Sequence, residues 1–564
     1  MFTPSLKRRV FAPLIQNAGI YTRCDSMDIL PKQNLYSYTS GRFLFNENLR
    51  LRERYVEFNT TALLQETEKI LGPDHGRALS IVKLAEGGFN RVFLIQMDDG
   101  FEAVLKIPYH IAGPKHFATA SEAATLQYLH SKGVPVPKVY GYSSNADNPV
   151  GVEYLLMEKA PGVSLQSRWL DMTKRQRHKL ATSFVDIEKK FFDIPFGSIG
   201  SIYFRKDIPA EIQRPLYMDN GKDQGPETFC IGPTADYMFW YGKRVGLNLF
   251  RGPWNNPNEY IQSIGRKEEE WTLRYGKPIE LDFPHNGIFR EVKNPEEYLD
   301  LLQKYFALVP HLLPQDPASH RPTLRHPDLN PNNIFISPDT GAISCIIDWQ
   351  HTAVEPRLLV AGYPRIFENP DPEEPSNLKE PALPEDYGTL PPEAKGEADE
   401  LYRRRLIFHY YRIFNGAFNK PHLNVLRDPF LRPRQHIIEW AGRQWNGNLF
   451  TLKGALIRMV QYWPHLQTNG LPCPVHFTDD ELNGFFEQEQ QWFEINAVVN
   501  LWREQIGVNE DGWVSNEQYE DAVRKVAELK ESLIALCEEG DQEDQEDVRL
   551  LEKGWPFRDQ EELQ

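Results

Sequence analysis

Short β-rich runs of apolar residues occupy the stretch from Ala78 to Tyr109. The runs LSIVKLAE, RVFLIQM and FEAVLKI are separated by turn residues such as DDG, a pattern that is typical of antiparallel strands. A helix is expected at about Ser121 to Ser131, and a further apolar strand at Tyr154 to Met157. This part of the chain therefore predicts a small lobe that is built on a sheet.

The flanking pattern is mainly helical. Asn46 to Leu71 shows apolar residues at helical spacing among many charges. Beyond Pro161 helical periodicity dominates, apart from a short β-rich pair at Asn333–Ser337 and Ala342–Asp348. The proline-rich, acidic stretch from Ile366 to Glu397 predicts an extended loop. We expect an α+β protein with two lobes, a small β-rich N-lobe and a large helical C-lobe, with a crevice between them.

Composition agrees with a globular protein of more than one core. The chain has 564 residues, 41% hydrophobic and 25% charged, and exceeds the roughly 250–300 residues at which one core stops growing. Its five cysteines are scattered and form no CxxC pair, which argues against a disulfide framework or a zinc module. A net charge of −16 and the lack of a long apolar run argue against nucleic-acid binding and a transmembrane segment.

The amino terminus departs from this acidic balance. Residues 1–24 contain four basic side chains, no acidic residue and several interleaved apolar residues. This pattern is typical of a mitochondrial transit peptide, so the mitochondrial import machinery is an expected partner. The alternative interpretation is a disordered basic tail.

Two features of the β-rich segment are candidates for phosphate binding. Gly87 and Gly88 lie between two predicted strands, where glycines let backbone N–H groups approach an anion, although the same pair is common in ordinary hairpin turns. Lys106 lies in an apolar strand, and Glu122 early in the next helix offers a carboxylate that would hold its ammonium group. A lone strand lysine more often points to solvent, so the Glu122 partner is what makes Lys106 a candidate.

The most informative motif is His326-Pro-Asp328-Leu-Asn-Pro-Asn-Asn333, which is followed after a hairpin by Ile-Ile-Asp348-Trp. Phosphoryl transfer depends on positioning and on charge neutralisation. One carboxylate must orient the attacking hydroxyl, while an amide oxygen and a second carboxylate hold Mg²⁺. Asp328, Asn333 and Asp348 provide this set, and their order after Lys106 makes coincidence improbable.

At these residues the chain resembles the aminoglycoside phosphotransferase family, also called the phosphotransferase enzyme family. HPDLNPNN matches the HxDxxxxN loop of that family, and IIDWQ matches its metal-binding segment. The HRD, DFG and APE motifs of protein kinases are absent, and EGGFNRVF differs from their GxGxxG loop, which argues against a protein substrate. With strings such as YTSGRFLFNENLRLRERYVEFN, the resemblance covers about residues 36–510, and the chain is similar to a fungal mitochondrial group named altered inheritance of mitochondria.

The resemblance implies a protein-kinase-like fold, ATP and Mg²⁺ as cofactors, and specific roles. Asp328 would be the catalytic base, and His326 would brace its loop. The remaining roles follow the family pattern: metal ligands Asn333 and Asp348, phosphate contact Lys106 with its partner Glu122, triphosphate cover Gly87, Gly88 and Asn90, and an adenine hinge that includes Glu158 and Ala160.

We expect five parts along the chain. They are a transit peptide and disordered start at 1–35, a helical extension at 36–74, the N-lobe at 75–160, the C-lobe at 161–510 and an acidic helical tail at 511–564. The predicted function is transfer of the γ-phosphoryl group of ATP to a hydroxyl of a small molecule in mitochondria. The alternatives are a catalytically weak or inactive nucleotide-binding scaffold for mitochondrial maintenance or inheritance, and a protein kinase.

Overall fold

The computed structural model describes residues 35–218, 227–466, 470–538 and 542–560. The predicted transit peptide lies outside these residues, apart from Leu35. None of the helices described is both long enough and apolar enough to cross a membrane.

The N-lobe is built on one five-stranded antiparallel sheet. Its strands, in chain order, are β1 (Ala78–Glu86), β2 (Asn90–Met97), β3 (Glu102–Pro108), β4 (Val139–Ser143) and β5 (Tyr154–Glu158). Their order across the sheet is β1-β2-β3-β5-β4. Phe93, Ile95 and Met97 alternate along β2 and are almost fully buried, which is the period of two expected where one face of a strand meets a core.

The helix Phe117–Ser131 packs beside this sheet and begins four residues before its predicted start. Preceding the sheet, the predicted helical extension forms two helices, Glu47–Arg54 and Thr60–Leu71. Its helical pattern is interrupted because Asn59 caps the second helix, accepting a hydrogen bond from the N–H of Ala62 at 3.1 Å.

The C-lobe is mainly helical, as the sequence predicts. Its helices are Leu165–Arg168, Lys174–Asp193, Pro257–Tyr275, His285–Ile288, Pro295–Leu312, Arg357–Val360, Pro392–Phe418, Lys420–Leu426, Leu431–Ala441, Phe450–Leu466 and Asp479–Ile506. Short 3-10 helices lie at Pro73–His75, Ala210–Ile212, Tyr237–Phe239, Gly242–Gly246, Pro317–His320, Arg365–Phe367 and Tyr387–Thr389. The predicted extended loop at 366–397 contains the end of Arg365–Phe367 and all of Tyr387–Thr389, and the helix Pro392–Phe418 begins within its last residues, earlier than predicted.

Small sheets interrupt the helical pattern of this lobe. The predicted β-pair forms as Ile334–Ile336 and Ile343–Ile346, and Val163–Ser164 joins it as a third strand. The strands that the sequence pattern did not reveal are Ser201–Phe204, Arg214–Pro215, Phe229–Gly232, Pro322–Leu324 and Val354–Pro356. Strands of two to four residues are too short to show an alternating period.

Separate cores confirm the two-lobed α+β fold. One core lies on the face of the N-lobe sheet that meets the extension, and it includes Phe58 and Leu63. A second core joins the opposite face of the sheet to the helix Lys174–Asp193 and the β-pair of the C-lobe. A third fills the helices around Pro295–Leu312. The division into five parts stays a prediction, and the tail 511–564 contains the strand Trp513–Val514 besides its helices Tyr519–Glu538 and Gln542–Lys553.

Candidate active site

The glycine loop is a tight turn between β1 and β2. The N–H of Gly87 donates to the carbonyl oxygen of Asn90 at 2.9 Å, so this donor is already used by the turn. A Cβ atom on Gly88 would meet no atom within 4 Å, and one on Gly87 would meet only the Asn90 carbonyl at 3.8 Å. The space above the loop is therefore open, and here the glycines keep the backbone accessible.

Lys106 forms an ion-pair network with two other predicted site residues, Glu122 and Asp348. It lies in β3, between its pairing partners Val92 and Leu155, and is 5% exposed. Its Nζ donates to Glu122 Oε1 at 2.8 Å and to Asp348 Oδ1 at 2.7 Å. Burial acts to lower the pKa of Lys106, but the two carboxylates outweigh it and the pKa is raised, so the ammonium group stays charged.

The loop around Asp328 is held by hydrogen bonds among its own polar residues. Asn330 Nδ2 donates to Asp328 Oδ2 at 2.8 Å, and Asn333 Nδ2 donates to the carbonyl oxygen of Asp328 at 2.9 Å. The N–H of Ile347 donates to the carbonyl oxygen of Asn333 at 3.0 Å, which ties the loop to the segment that carries Asp348. Asp328 and Asn333 are thus in direct contact.

His326 braces this loop from below. The N–H of Asp328 donates to His326 Nδ1 at 3.1 Å, and His326 Nε2 lies 2.8 Å from the carbonyl oxygen of Ile347. These partners fix the tautomer with hydrogen on Nε2, and burial lowers the pKa of His326, which keeps the ring neutral. Its ring packs edge-on against fully buried Trp349, with centroids 4.6 Å apart.

Asp348 occupies a left-handed backbone conformation, with φ of 65°, that non-glycine residues adopt infrequently. Burial acts to raise the pKa of its carboxyl group, but Lys106 outweighs that effect, and the pKa is lowered. Oδ1 is used by Lys106, and the side chain remains 44% exposed in the cleft. Asn333 uses its amide nitrogen within the loop. In the described structure its amide oxygen and Asp348 Oδ2 are not used by a protein hydrogen bond, so these are the oxygen atoms that could accept a cation.

The predicted hinge lies at the end of β5. Glu158 pairs with Ala103 in the sheet, and its N–H donates to the carbonyl oxygen of Lys138 at 2.8 Å. The chain then passes through Ala160 to Val163–Ser164, which pairs with Ile334–Ile336 of the C-lobe. Glu158 and Ala160 therefore connect the lobes and make no side-chain contact with the Lys106 network in the described structure.

Contacts across the cleft join predicted Asn90 and its neighbour Phe89 to C-lobe residues that the sequence did not predict as part of the site. Asn90 Nδ2 donates to Gln350 Oε1 at 2.7 Å, a buried bond between the glycine loop and the Asp348 segment. Phe89 packs against Tyr237 and His351, with centroid distances of 4.7 and 5.2 Å. Gln350 and His351 follow Asp348 directly, so their position next to the motif was the available signal.

Asp328 also lines a cavity of about 430 Å³ in the C-lobe. Asp236, Arg325, Glu355 and Tyr363 lie on its wall. Asp236 caps the 3-10 helix Tyr237–Phe239, and no sequence motif predicted it as a site residue. The cavity places an accessible space beside the carboxylate of Asp328.

The sequence is similar to a known protein family and to fungal proteins. Residues 80–359 match the sequence profile of the phosphotransferase enzyme family. The subtelomeric hrmA-associated cluster protein of Aspergillus fumigatus is 32% identical over 515 residues, which cover 85% of this chain and 97% of that protein. The protein of Zygosaccharomyces rouxii named altered inheritance of mitochondria protein 9, mitochondrial, is 26% identical, over 81% of this chain and 76% of that protein. The name of this relative confirms the mitochondrial location predicted from the sequence.

One solved structure with a similar chain is aminoglycoside phosphotransferase APH(4)-Ia in ternary complex with ADP and hygromycin B. It aligns with a TM-score of 0.34 and 14% identity, over 70% of this chain and 96% of that chain. The overlap is low, so the assignment rests on the sequence matches. The matched region and the 32% identical relative, 97% of which is covered, show that the chain belongs to the phosphotransferase enzyme family.

Proposed function

We propose that the protein is an ATP-dependent phosphotransferase that moves the γ-phosphoryl group to a hydroxyl of a small molecule in mitochondria. The observation that carries this proposal is the ion-pair network of Lys106, Glu122 and Asp348, which meets the loop of Asp328 and Asn333 at one cleft. Buried charges cost free energy unless they are paired and hydrogen-bonded, and a buried lysine that two carboxylates hold in place is suited to phosphate binding.

The N-lobe supplies the groups that would bind the nucleotide. Lys106 would exchange part of its contact with Asp348 for the phosphates, while Glu122 keeps its ammonium group in place. Gly87, Gly88 and Asn90 would cover the triphosphate from above, and the backbone of the hinge at Glu158 and Ala160 would meet the adenine.

The oxygen donors of the C-lobe fit Mg²⁺. Asn333 and Asp348 would hold the ion, since an amide oxygen and a carboxylate are hard ligands and Mg²⁺ commonly takes one or two protein ligands besides phosphates. Bound there, Mg²⁺ would neutralise charge on the phosphates. Across the described ranges, no cluster of three or more His, Cys, Asp or Glu side chains forms a metal site.

In this proposal Asp328 would orient the hydroxyl group of the acceptor. The hydroxyl oxygen of the acceptor would bond to the γ-phosphorus of ATP as the bond to the β-phosphate oxygen breaks, ADP leaves, and the hydroxyl proton passes to Asp328. Asn330 and His326 hold Asp328 in this position through its Oδ2 and its N–H.

Turnover of Mg-ATP by the purified protein tests this proposal, with ADP release as the measurement. We expect Asp328→Asn to reduce turnover by about 100-fold or more, the usual contribution of a positioned base. Asp339→Asn is the matched control because Asp339 is an exposed residue of the hairpin after the catalytic loop, and it should behave as the unmodified protein.

Two results would contradict the proposal in different ways. If the protein binds Mg-ATP and Asp328→Asn changes no turnover above background, the enzyme proposal fails and the scaffold alternative stands. If a mitochondrial extract with labelled ATP gives a phosphorylated protein band that depends on Asp328, the acceptor is a protein. Metabolite profiles of a deletion strain and an Asp328→Asn strain would narrow the identity of the acceptor.

A further inference from the structure

A second cavity of about 480 Å³ adjoins the cavity beside Asp328. Asp236, Arg325, Glu355, Leu359 and Tyr363 line both, so the two cavities share these residues as a common wall. The second cavity reaches the helix Leu431–Ala441 and is deep enough to hold the part of an acceptor that does not react. Its charges therefore bear on which acceptor fits.

Four acidic residues line the two cavities: Asp236, Asp328, Glu355 and Glu439. Two of them, Asp236 and Glu355, are hydrogen-bonded and have raised pKa values. Glu355 accepts a hydrogen bond from the hydroxyl group of Tyr260, and Asp236 accepts one from the N–H of Met238 at 3.0 Å. Burial raises the pKa of both groups, and that of Glu355 to about 7. At neutral pH this pair is consequently a weaker site for a cation than two ionised carboxylates would be.

Four arginines line the same two cavities, and one of them, Arg443, is paired with Glu439 on the same wall. The other three are Arg325, Arg365 and Arg432. Arg325 donates from Nη2 to the carbonyl oxygen of Gly362 at 2.9 Å and from Nη1 to that of Val360, which fixes its guanidinium group at the wall. The carboxylate paired with it, Glu188, is 3.9 Å away and is shared with other side chains.

Arg365 lines the first cavity and Arg432 the second, and both side chains are exposed. Throughout the ranges that the structure describes, neither makes a side-chain hydrogen bond or an ion pair. Their guanidinium groups are thus available to a ligand. Tyr363 lines both cavities and lies between the one that Arg365 lines and the one that Arg432 lines.

We propose that the acceptor carries an oxyanion, a carboxylate or a phosphate, that binds Arg365, Arg432 and Arg325 while a hydroxyl of the same molecule faces Asp328. This inference rests on the proposed function, because it describes the other end of the same acceptor. Guanidinium groups suit oxyanions, since their planar N–H donors match two oxygens at once. An acceptor whose only charge is an ammonium group would instead meet three cations on this wall.

Binding of four compounds that share a six-carbon skeleton and differ in charge tests the charge preference. Glucose, glucosamine, gluconate and glucose 6-phosphate are titrated calorimetrically into the full chain that is saturated with Mg-ADP, so that the nucleotide site is filled. We expect gluconate or glucose 6-phosphate to bind at least about tenfold more tightly than glucose and glucosamine. The ratio between the two anions separates a carboxylate preference from a phosphate preference.

Charge-removing variants locate the binding. Arg365→Gln and Arg432→Gln should each weaken binding of the preferred anion about tenfold. Arg427→Gln is the matched control, because Arg427 is exposed near the same helix but lines neither cavity, and it should change nothing. Preferential binding of glucosamine, binding of none of the four, or anion binding that both variants leave unchanged would overturn the inference.

Failure of the proposed function would look different. In that case Asp328→Asn would change no ATP turnover above background, while the anion would still bind in an arginine-dependent way. Conversely, Asp328-dependent turnover with no arginine-dependent anion binding would keep the enzyme and remove the anionic acceptor.

Discussion

Glu355 is a partly buried acid whose protonation is set by its surroundings. It lies in the strand Val354–Pro356, accepts a hydrogen bond from Tyr260 and faces the cavity beside Asp328. Burial, with a smaller effect of Asp236, raises its pKa from 4.5 to about 7. The folded protein therefore holds this proton over a range in which the unfolded chain has released it.

The sign of the resulting pH dependence follows directly. Below pH 4.5 both states are protonated and the group costs nothing. As the pH rises towards 7, the unfolded chain loses the proton first, so the free energy of unfolding falls. We expect Glu355→Gln to be more stable than the unmodified protein at about pH 8, by about 1–3 kcal/mol, with the difference vanishing near about pH 4.5.

Denaturant unfolding at several pH values measures this difference. Glu373→Gln is the matched control, because Glu373 lies exposed in the loop before the helix Pro392–Phe418 and should show no pH-dependent gain. An equal effect of both substitutions, or a gain for Glu355→Gln that grows towards low pH, would show that burial of Glu355 is not the cause.

Motif spacing predicted some site residues but could not predict others. Asp328, Asn333 and Asp348 were found because phosphoryl transfer needs these residue types in a fixed order. Asp236 and Glu355 are far apart in the chain, and only folding brings them to one cavity. No local pattern distinguishes them from ordinary acids on the surface.

At the scale of elements, a buried hydrogen-bonded pair connects the glycine loop to the C-lobe. Asn90 begins β2 and Gln350 follows the segment of Asp348, yet their side chains are 2.7 Å apart. Both residues are nearly inaccessible, and Asn90 Oδ1 has no hydrogen-bond partner in the described structure. Loss of either side chain leaves the other buried and unsatisfied, which is costly.

A double-mutant cycle on Asn90→Ala and Gln350→Ala measures this connection. We expect a coupling of about 1 kcal/mol in the free energy of unfolding, because each single substitution already removes the bond. The exposed ion pair Glu102–Lys159 is the control cycle, and its coupling should be smaller because solvent screens it. Additive effects of the two alanine substitutions would mean that the Asn90–Gln350 bond contributes nothing.

Long periodic elements could be predicted from the sequence, whereas short ones could not. The strands β1 to β3 and the helix Asp479–Ile506 carry enough turns or alternations to set their type. The small sheet of Ser201–Phe204 and Phe229–Gly232 is formed by four-residue strands, and its pairing crosses a long interval of chain. Such strands form because of long-range contacts, which a local pattern does not contain.

For the whole molecule, the two ends of the described chain meet beside the glycine loop. The strand Arg42–Phe43 pairs with Trp513–Val514 of the tail, and we call this pair the clasp. Just before it, Thr39 N–H donates to Glu86 Oε2 at 2.8 Å, and Glu86 lies directly before the glycine loop. Neither end carries a signal for this pairing, because two-residue strands have no period.

Gly41 shows how tightly the clasp is packed. A Cβ atom at this position would lie 2.7 Å from the carbonyl oxygen of Val514 and 2.2 Å from Nε1 of Trp513. The first of these neighbours is backbone, so the two strands must separate to make room. Because Thr39, just before the clasp, bonds to Glu86, the strain should extend to both of these segments and to the base of the glycine loop.

We therefore expect Gly41→Ala to lower the free energy of unfolding by about 1–3 kcal/mol, the usual cost of overpacking. Hydrogen exchange should increase together in residues 39–54 and 507–516, since the clasp is the structure that joins them. Gly416→Ala is the matched control: Gly416 lies in a helix with open space around it, and alanine there should stabilise the protein by about 0.5–1 kcal/mol. Faster exchange in only one of the two segments would show that the two ends are held independently. The clasp would then not couple the tail to the glycine loop.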